Sequence, residues 1–263
     1  FSVGDTVTII ALILFLIGLV MSFSVWLTGS LPGEGSLNPF YKVLKLLRDA
    51  FMAIFSLKIA LIIKAMILDV LLQGRLYRQS KTRWFIHSLI FLPFVFRFAW
   101  GLVALLASLW KPEWPWVWAM IDKNHASTAL LFDLTGIMVL FGVTLAVIRG
   151  LLKRSDHLPG LPRQDYLALG LLAGIVIIGY VMEGVRIAMT GAPGDAQWAF
   201  VGYGLSLLFL DASGLTEVYG YIWYIHAILT GAFLAYLPFS RLFHIIMAPV
   251  VLVMNAISER GHG

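Results

Sequence analysis

Apolar residues come in long unbroken runs along this chain, not in the strict alternation of a half-buried strand. Runs of spanning length cover residues 6–28, 51–73, 84–109, 126–149, 166–189 and 219–246, and a membrane-crossing helix takes about 20 such residues. The runs predict an all-α integral membrane protein built as a six-transmembrane-helix bundle. Two shorter segments add to it. Residues 40–50 alternate Leu and Val with Lys42, Lys45 and Arg48 at helical spacing, which predicts an amphipathic helix lying at the interface. Residues 200–210 are apolar but too short to span, which predicts an interfacial or re-entrant segment.

Composition agrees with lipid as the solvent. Of 263 residues, 60% are hydrophobic and 13% charged, against roughly 25% charged in soluble domains. Six spans and short loops use up the length, so residues 1–263 read as a single membrane domain: a peripheral first span plus interfacial helix over 1–50, and the main bundle over 51–250. The first run lacks a basic leader and a small-residue cleavage site and exceeds the roughly 7–15 residues of a signal core, so it reads as a retained helix. No cysteine is present. That excludes disulfides, thiolate-bound iron–sulfur clusters, Cys-ligated zinc and covalently attached haem carried by this chain. Any metal must be held by His, Met or carboxylate.

The net charge of +5 reports topology, not a nucleic-acid footprint, because the bases sit between apolar runs. Residues 74–83 carry Arg75, Arg78, Lys81 and Arg83 without an acid, and Arg149, Lys153, Arg154 and Arg163 follow the fourth run. Both linkers are expected on the cytoplasmic side of a prokaryotic cell membrane. Residues 191–218 hold Asp195, Asp211 and Glu217 without a base and belong outside. Both termini are then cytoplasmic, with Lys42, Lys45 and Arg48 dissenting. Trp110, Trp114, Trp116 and Trp118 form an outer aromatic belt.

Four histidines fall in or beside spans: His87, His125, His226 and His244. Ionisable groups there are costly and usually functional. His226 and His244 lie in the sixth run at a spacing of five helical turns, which predicts that they share one face and stand about 27 Å apart. Neutral imidazoles from two helices can clamp a haem iron. Depth pairs His87 with His244 on the inner side and His125 with His226 on the outer side. For each His the other reading is a helix–helix hydrogen bond. His157 and His262 read as solvated.

A family resemblance rests on particular segments. The stretch 225–245, with His226, Gly231 and Pro238-Phe239-Ser240-Arg241-Leu242-Phe243-His244-Ile245, resembles the last helix of the respiratory nitrate reductase gamma subunit. Gly74-Arg75-Leu76, Thr82-Arg83-Trp84-Phe85-Ile86-His87 and Met182-Glu183-Gly184-Val185-Arg186-Ile187-Ala188 resemble its relatives in heterodisulfide-reductase-type complexes. Those include the E subunit of heterodisulfide reductase and the subunit called DsrM that accompanies dissimilatory sulfite reductase. The likeness covers about residues 50–250. It implies a membrane cytochrome b with two b haems, oxidising menaquinol or another quinol and feeding a cytoplasmic iron–sulfur, heterodisulfide-reductase-like subunit, with further complex subunits as partners. By that likeness His87 and His244 bind the inner haem, and His226 binds the outer one. One departure stands out. The gamma-subunit pattern has a second His ten residues beyond His87, where this chain has Arg97. Arg cannot be deprotonated and cannot serve as that ligand, so either His125 takes over or the outer haem is absent.

Charged residues inside the spans complete the candidates. Arg97, Asp133, Glu183 and Arg186 are expected in the outer halves of their helices, converging around His226. Glu183 and Arg186 are spaced as a same-face pair. One reading gives the Arg side chains to haem propionates or a quinone carbonyl and a carboxylate to quinol protons; the other is a neutralised pair. Lys123 reads as a quinone-oxygen contact or a loop anchor. Arg83 and Arg241 read as propionate contacts or positive-inside anchors. Lys58 is expected to snorkel, and Lys64 and Asp69 to face other helices. Two further function classes stand beside the redox subunit: a transporter or channel using the intramembrane charges, and a cofactor-free membrane anchor. Only the first predicts b-type absorbance.

Overall fold

In a lipid environment each backbone N–H and C=O must be bonded within its own segment, which leaves helices as the fold for these apolar runs. A computed structural model of the chain describes residues 3–28, 59–152, 163–209 and 213–258, with isolated positions between 38 and 56. The expected interfacial helix over 40–50 falls almost wholly outside the described residues, as do Lys58, Lys153, Arg154, His157, Asp211 and His262.

Among the described residues, five helices are long and apolar enough to cross a membrane: Thr6–Val25, Lys81–Trp110, Pro115–Leu152, Tyr166–Met189 and Leu215–Phe239. The second expected span, 51–73, is described as continuous helix only from α2, Ile59–Ala65, through a π-helical turn, Met66–Leu71. That stretch is shorter than the about 20 residues a span takes. The expected short segment at 200–210 forms α8, Phe200–Ser206, with a 3-10 turn after it.

The chain divides into two compact units, one of residues 1–8 and 85–233 and the other of residues 9–84 and 234–263. The first contains most of α4 (Lys81–Trp110), α5 (Pro115–Ile121), α6 (Ala126–Leu152), α7 (Arg163–Met189), α8 and most of α9 (Leu215–Tyr236). Its core joins Val139 and Val143 of α6 to Val176 and Tyr180 of α7, with Ile90, Val201 and Leu205 packed around them. Small residues let the backbones approach. A Cβ placed on Gly142 would lie 2.7 Å from Ile90 Cγ1 and 3.2 Å from the Leu89 carbonyl carbon. Helix α7 ends in a left-handed Gly191 (φ 72°), where Gly191 N–H bonds Ala188 O and Ala192 N–H bonds Ile187 O at 3.0 Å. This closure satisfies the last carbonyls of the helix.

The second unit contains the body of α1 (Val3–Thr28), α2, the π-helical turn, α3 (Gly74–Gln79) and α10 (His244–Ser258). Here the expected sixth span departs from a single helix. Between α9 and α10 the chain passes through 3-10 turns at Leu237–Phe239 and Arg241–Phe243, with Ser240 extended between them. Pro238 offers no N–H to continue the α-helical ladder, and Ser240 Oγ accepts the Leu242 N–H at 3.1 Å, which starts the next helix. His226 and His244 therefore lie on different helices, and the five-turn spacing does not carry their alignment. The first span meets this turn. Ser22 Oγ donates to Pro238 O at 2.9 Å, and the Phe23 and Phe243 rings meet edge to face at 5.8 Å.

Candidate functional site

The loop between α5 and α6 is built by its own polar groups. Asp122 Oδ1 accepts the Asn124 N–H at 2.8 Å, His125 O accepts the Ala129 N–H at 2.9 Å, and Thr128 Oγ1 donates to Ala119 O at 2.5 Å. These bonds fix the N-terminus of α6 and present Lys123 and Asn124 beside α4 and α7.

A polar cluster fills the space between those helices. Arg97 of α4 donates from Nε to Thr135 Oγ1 at 2.9 Å and from its terminal nitrogen to the Phe132 carbonyl. Its guanidinium carbon is 5.1 Å from the centre of the Phe132 ring, and Lys123 Nζ lies 3.5 Å from the same centre. One aromatic ring thus faces two cations. On α7, Arg186 donates to Asn124 Oδ1 and lies 3.4 Å from Glu183 Oε1. Tyr180, one turn earlier, donates its hydroxyl to Asp133 O at 2.6 Å. Asp133 itself is fully buried. Its Oδ2 accepts the Val201 N–H of α8 at 2.6 Å, and the Glu183 carboxyl lies within hydrogen-bonding reach of Asp133, whose Oδ1 meets no donor of full geometry among the described residues. A Cβ on Gly202 would collide with the Glu183 side chain, so glycine is needed for α8 to pass this carboxylate.

His226 adjoins the cluster. It lies on α9 within electrostatic reach of Arg97, its ring faces α7 at Gly179 beside the Ile175 backbone, and among the described residues its buried Nδ1 has no hydrogen bond of full geometry. His125 is exposed, with Nδ1 2.9 Å from Ser127 Oγ in the first turn of α6. In the second unit, exposed His244 places Nδ1 2.7 Å from Arg241 O. A carbonyl can only accept, so Nδ1 carries the proton and the ring's lone pair sits on Nε2. That tautomer is the one a backbone carbonyl sets in ligating histidines. Half-buried His87 stacks on Phe91, ring centres 5.6 Å apart.

The structure brings Arg97, Lys123, Asp133, Glu183 and Arg186 together in one unit, with His226 beside them. Arg83 and Arg241 belong to the second unit, exposed at the start of α4 and in the turn before α10. The sequence reading missed Phe132, Thr135 and Tyr180. Tyr180 had a signal, since it stands one turn before Glu183 on the same face; Phe132 and Thr135 had none before the pairing of α4 with α6 was known. Among the described residues no group of three or more His, Asp or Glu side chains is gathered as a metal site, and a haem clamped by two histidines does not call for one. The donor chemistry at His244 and the buried imidazole of His226 both fit an imidazole–iron bond.

The nitrate reductase gamma subunit family matches residues 89–258, well over half of the chain and including the segments that carry this cluster. The chain belongs to that family. Among curated proteins, this member is similar to the E subunit of the dihydromethanophenazine:CoB–CoM heterodisulfide reductase of Methanosarcina mazei, 25% identical over 255 residues covering 94% of this chain and 90% of the relative. The same subunit is 24% identical in Methanosarcina acetivorans and 26% in Methanosarcina barkeri, each over 94% of this chain and 88% of its own length. No solved structure matches. With membrane-subunit relatives and five spanning helices, this gamma-family chain is a multi-pass membrane protein.

Proposed function

We propose that this chain is the membrane cytochrome b subunit of a respiratory complex, exchanging electrons between a quinol and a cytoplasmic iron–sulfur partner. The observation that carries the reading is His244, whose Nδ1 is fixed on the Arg241 carbonyl so that Nε2 holds the lone pair a haem iron requires. It lies in the Pro-Phe-Ser-Arg…His block of the family-matched segment. The name of the Methanosarcina relatives supports the same class, since dihydromethanophenazine is, like a quinol, a reduced carrier.

In this proposal His87 and His244 hold an inner b haem, and His226 with His125 holds an outer one. When bound, the haems supply one-electron chemistry between the two membrane faces. The chain's own residues set the quinol site. Lys123 and Arg97, steered by Phe132, orient a quinone oxygen or a haem propionate. Oxidising a quinol releases two electrons and two protons, and the neighbouring Glu183 and Asp133 carboxyls accept those protons. Arg83 and Arg241 contact propionates on the inner side. The basic linkers face the cytoplasm, where the partner docks, and both termini lie there.

The test is anaerobic mixing of the purified protein with a soluble menaquinol analogue. Rapid reduction of b-type bands, slowed at least tenfold in Lys123→Ala at low quinol, supports the reading. A protein with b-type bands that no quinol reduces would contradict the quinol assignment.

A further inference from the structure

None of the residues of the polar cluster around Arg97 lines a cavity found at the C-terminal end of the second apolar segment. There α2 runs into the π-helical turn Met66–Leu71, the left-handed Gln73 (φ 54°) turns the chain, and α3 crosses the end of the segment. These elements and the first turn of α4 line an open cavity of about 800 Å3.

Its lining mixes two kinds of side chain. Leu61, Leu68 and Leu72 are apolar. Lys64, Arg75 and Arg78 are basic, with a single acid, Asp69. Arg75 Nε is 3.4 Å from Asp69 Oδ2, and an Arg78 terminal nitrogen is 3.9 Å from Oδ1. One carboxylate therefore serves two guanidiniums, and among the described residues no acid pairs with Lys64. Both arginines remain open to a ligand, with side chains 46% and 74% exposed. At the rim, Trp84 Nε1 donates to Leu72 O at 2.9 Å and the Tyr77 ring meets Trp84 edge to face at 5.2 Å. Fixed aromatics beside cations at the end of an apolar helix mark the level of lipid headgroups.

An excess of cations calls for an anion, and Arg is suited to binding phosphate oxygens. The leucines of the lining call for a hydrocarbon. Inorganic phosphate satisfies only the first demand and a neutral quinone only the second. We propose that this cavity is a binding site for an anionic phospholipid, with the headgroup phosphate on Lys64, Arg75 and Arg78 and an acyl chain against Leu61 and Leu68. The cavity lies wholly in residues 61–84, before the family-matched segment begins at residue 89, and the proposal does not depend on haem or quinol binding.

The experiment places the full chain in nanodiscs of phosphatidylcholine with or without phosphatidylglycerol and counts retained lipid by native mass spectrometry. Phosphatidylglycerol is expected to be retained over phosphatidylcholine, and inorganic phosphate should displace it poorly. The double variant Arg75→Gln/Arg78→Gln should weaken retention about tenfold or more, the scale of losing charge-assisted hydrogen bonds. Leu68→Trp keeps every charge but fills the cavity and should lose the lipid as well; it decides the matter if the double variant does not fold. Arg149→Gln, a base on α6, should retain the lipid. Equal retention of both lipids, undiminished phosphatidylglycerol in both the double variant and Leu68→Trp, or full displacement by inorganic phosphate would each overturn the proposal.

Discussion

Arg97 Nε donates to Thr135 Oγ1 at 2.9 Å, which pins the guanidinium of α4 to a turn of α6 beside His226. At this position the gamma-subunit pattern carries a haem-ligating histidine. Here the side chain ties two helices together, and the Phe132 ring faces both it and Lys123. Arg97→Ala is expected to cost about 1.5–3 kcal/mol of stability, the range for hydrogen bonds to a charged group. Denaturant unfolding in detergent reads it; an unchanged midpoint would mean that the bonds add nothing net.

Asp133 joins α6 to α8 through the Val201 N–H. Asp133→Ala leaves that buried donor unpaired and should destabilise by about 1–3 kcal/mol, while Asp133→Asn, which keeps an acceptor oxygen, should lose much less. Thermal unfolding of the two variants checks the order. Equal loss would place the cost in the carboxylate's charge.

The approach of α4 to α6 depends on Gly142. Gly142→Leu forces a side chain into Leu89 and Ile90 and should cost about 1–3 kcal/mol through overpacking. Gly170→Ala in α7, where an added Cβ meets nothing within 4 Å, should be nearly silent. Similar losses for both would contradict the packing described for the first unit.

His226 and His125 bear on the second haem. His226→Ala and His125→Ala are each expected to lower the haem content by one per chain, measured by pyridine haemochrome assay. His125 is exposed with Nδ1 on the Ser127 hydroxyl, so Nε2 is the ring nitrogen left to reach the iron. A His125→Ala protein that keeps both haems with unchanged low-spin spectra would remove it from the ligand set and return it, with Lys123, to the quinol pocket.

Hydropathy exposed the helices because lipid imposes one demand on every residue of a span, so the runs ending near Trp110, Leu152 and Met189 were readable one segment at a time. The interruption of the sixth run was also written in the chain, in Pro238 followed by Ser240, but an apolar run conceals a break that costs no hydrophobicity. The Glu183–Arg186 pair was visible from spacing alone. Its neighbours were not: Arg97 on Thr135, Asp133 on Val201 and Arg186 on Asn124 each join residues 35 or more positions apart, and no periodicity encodes which helices become adjacent. The cavity at Asp69 was equally hidden, since it depends on a π-helical turn and a left-handed Gln73.

The central claim is that this chain carries b haem on histidines, and a reduced-minus-oxidised absorption spectrum of the purified protein tests it most directly. Dithionite should develop low-spin b-type bands, and His87→Ala and His244→Ala should each remove the same component of them while the other persists. A folded, membrane-inserted protein purified after expression with ample haem that shows no such bands would contradict the account.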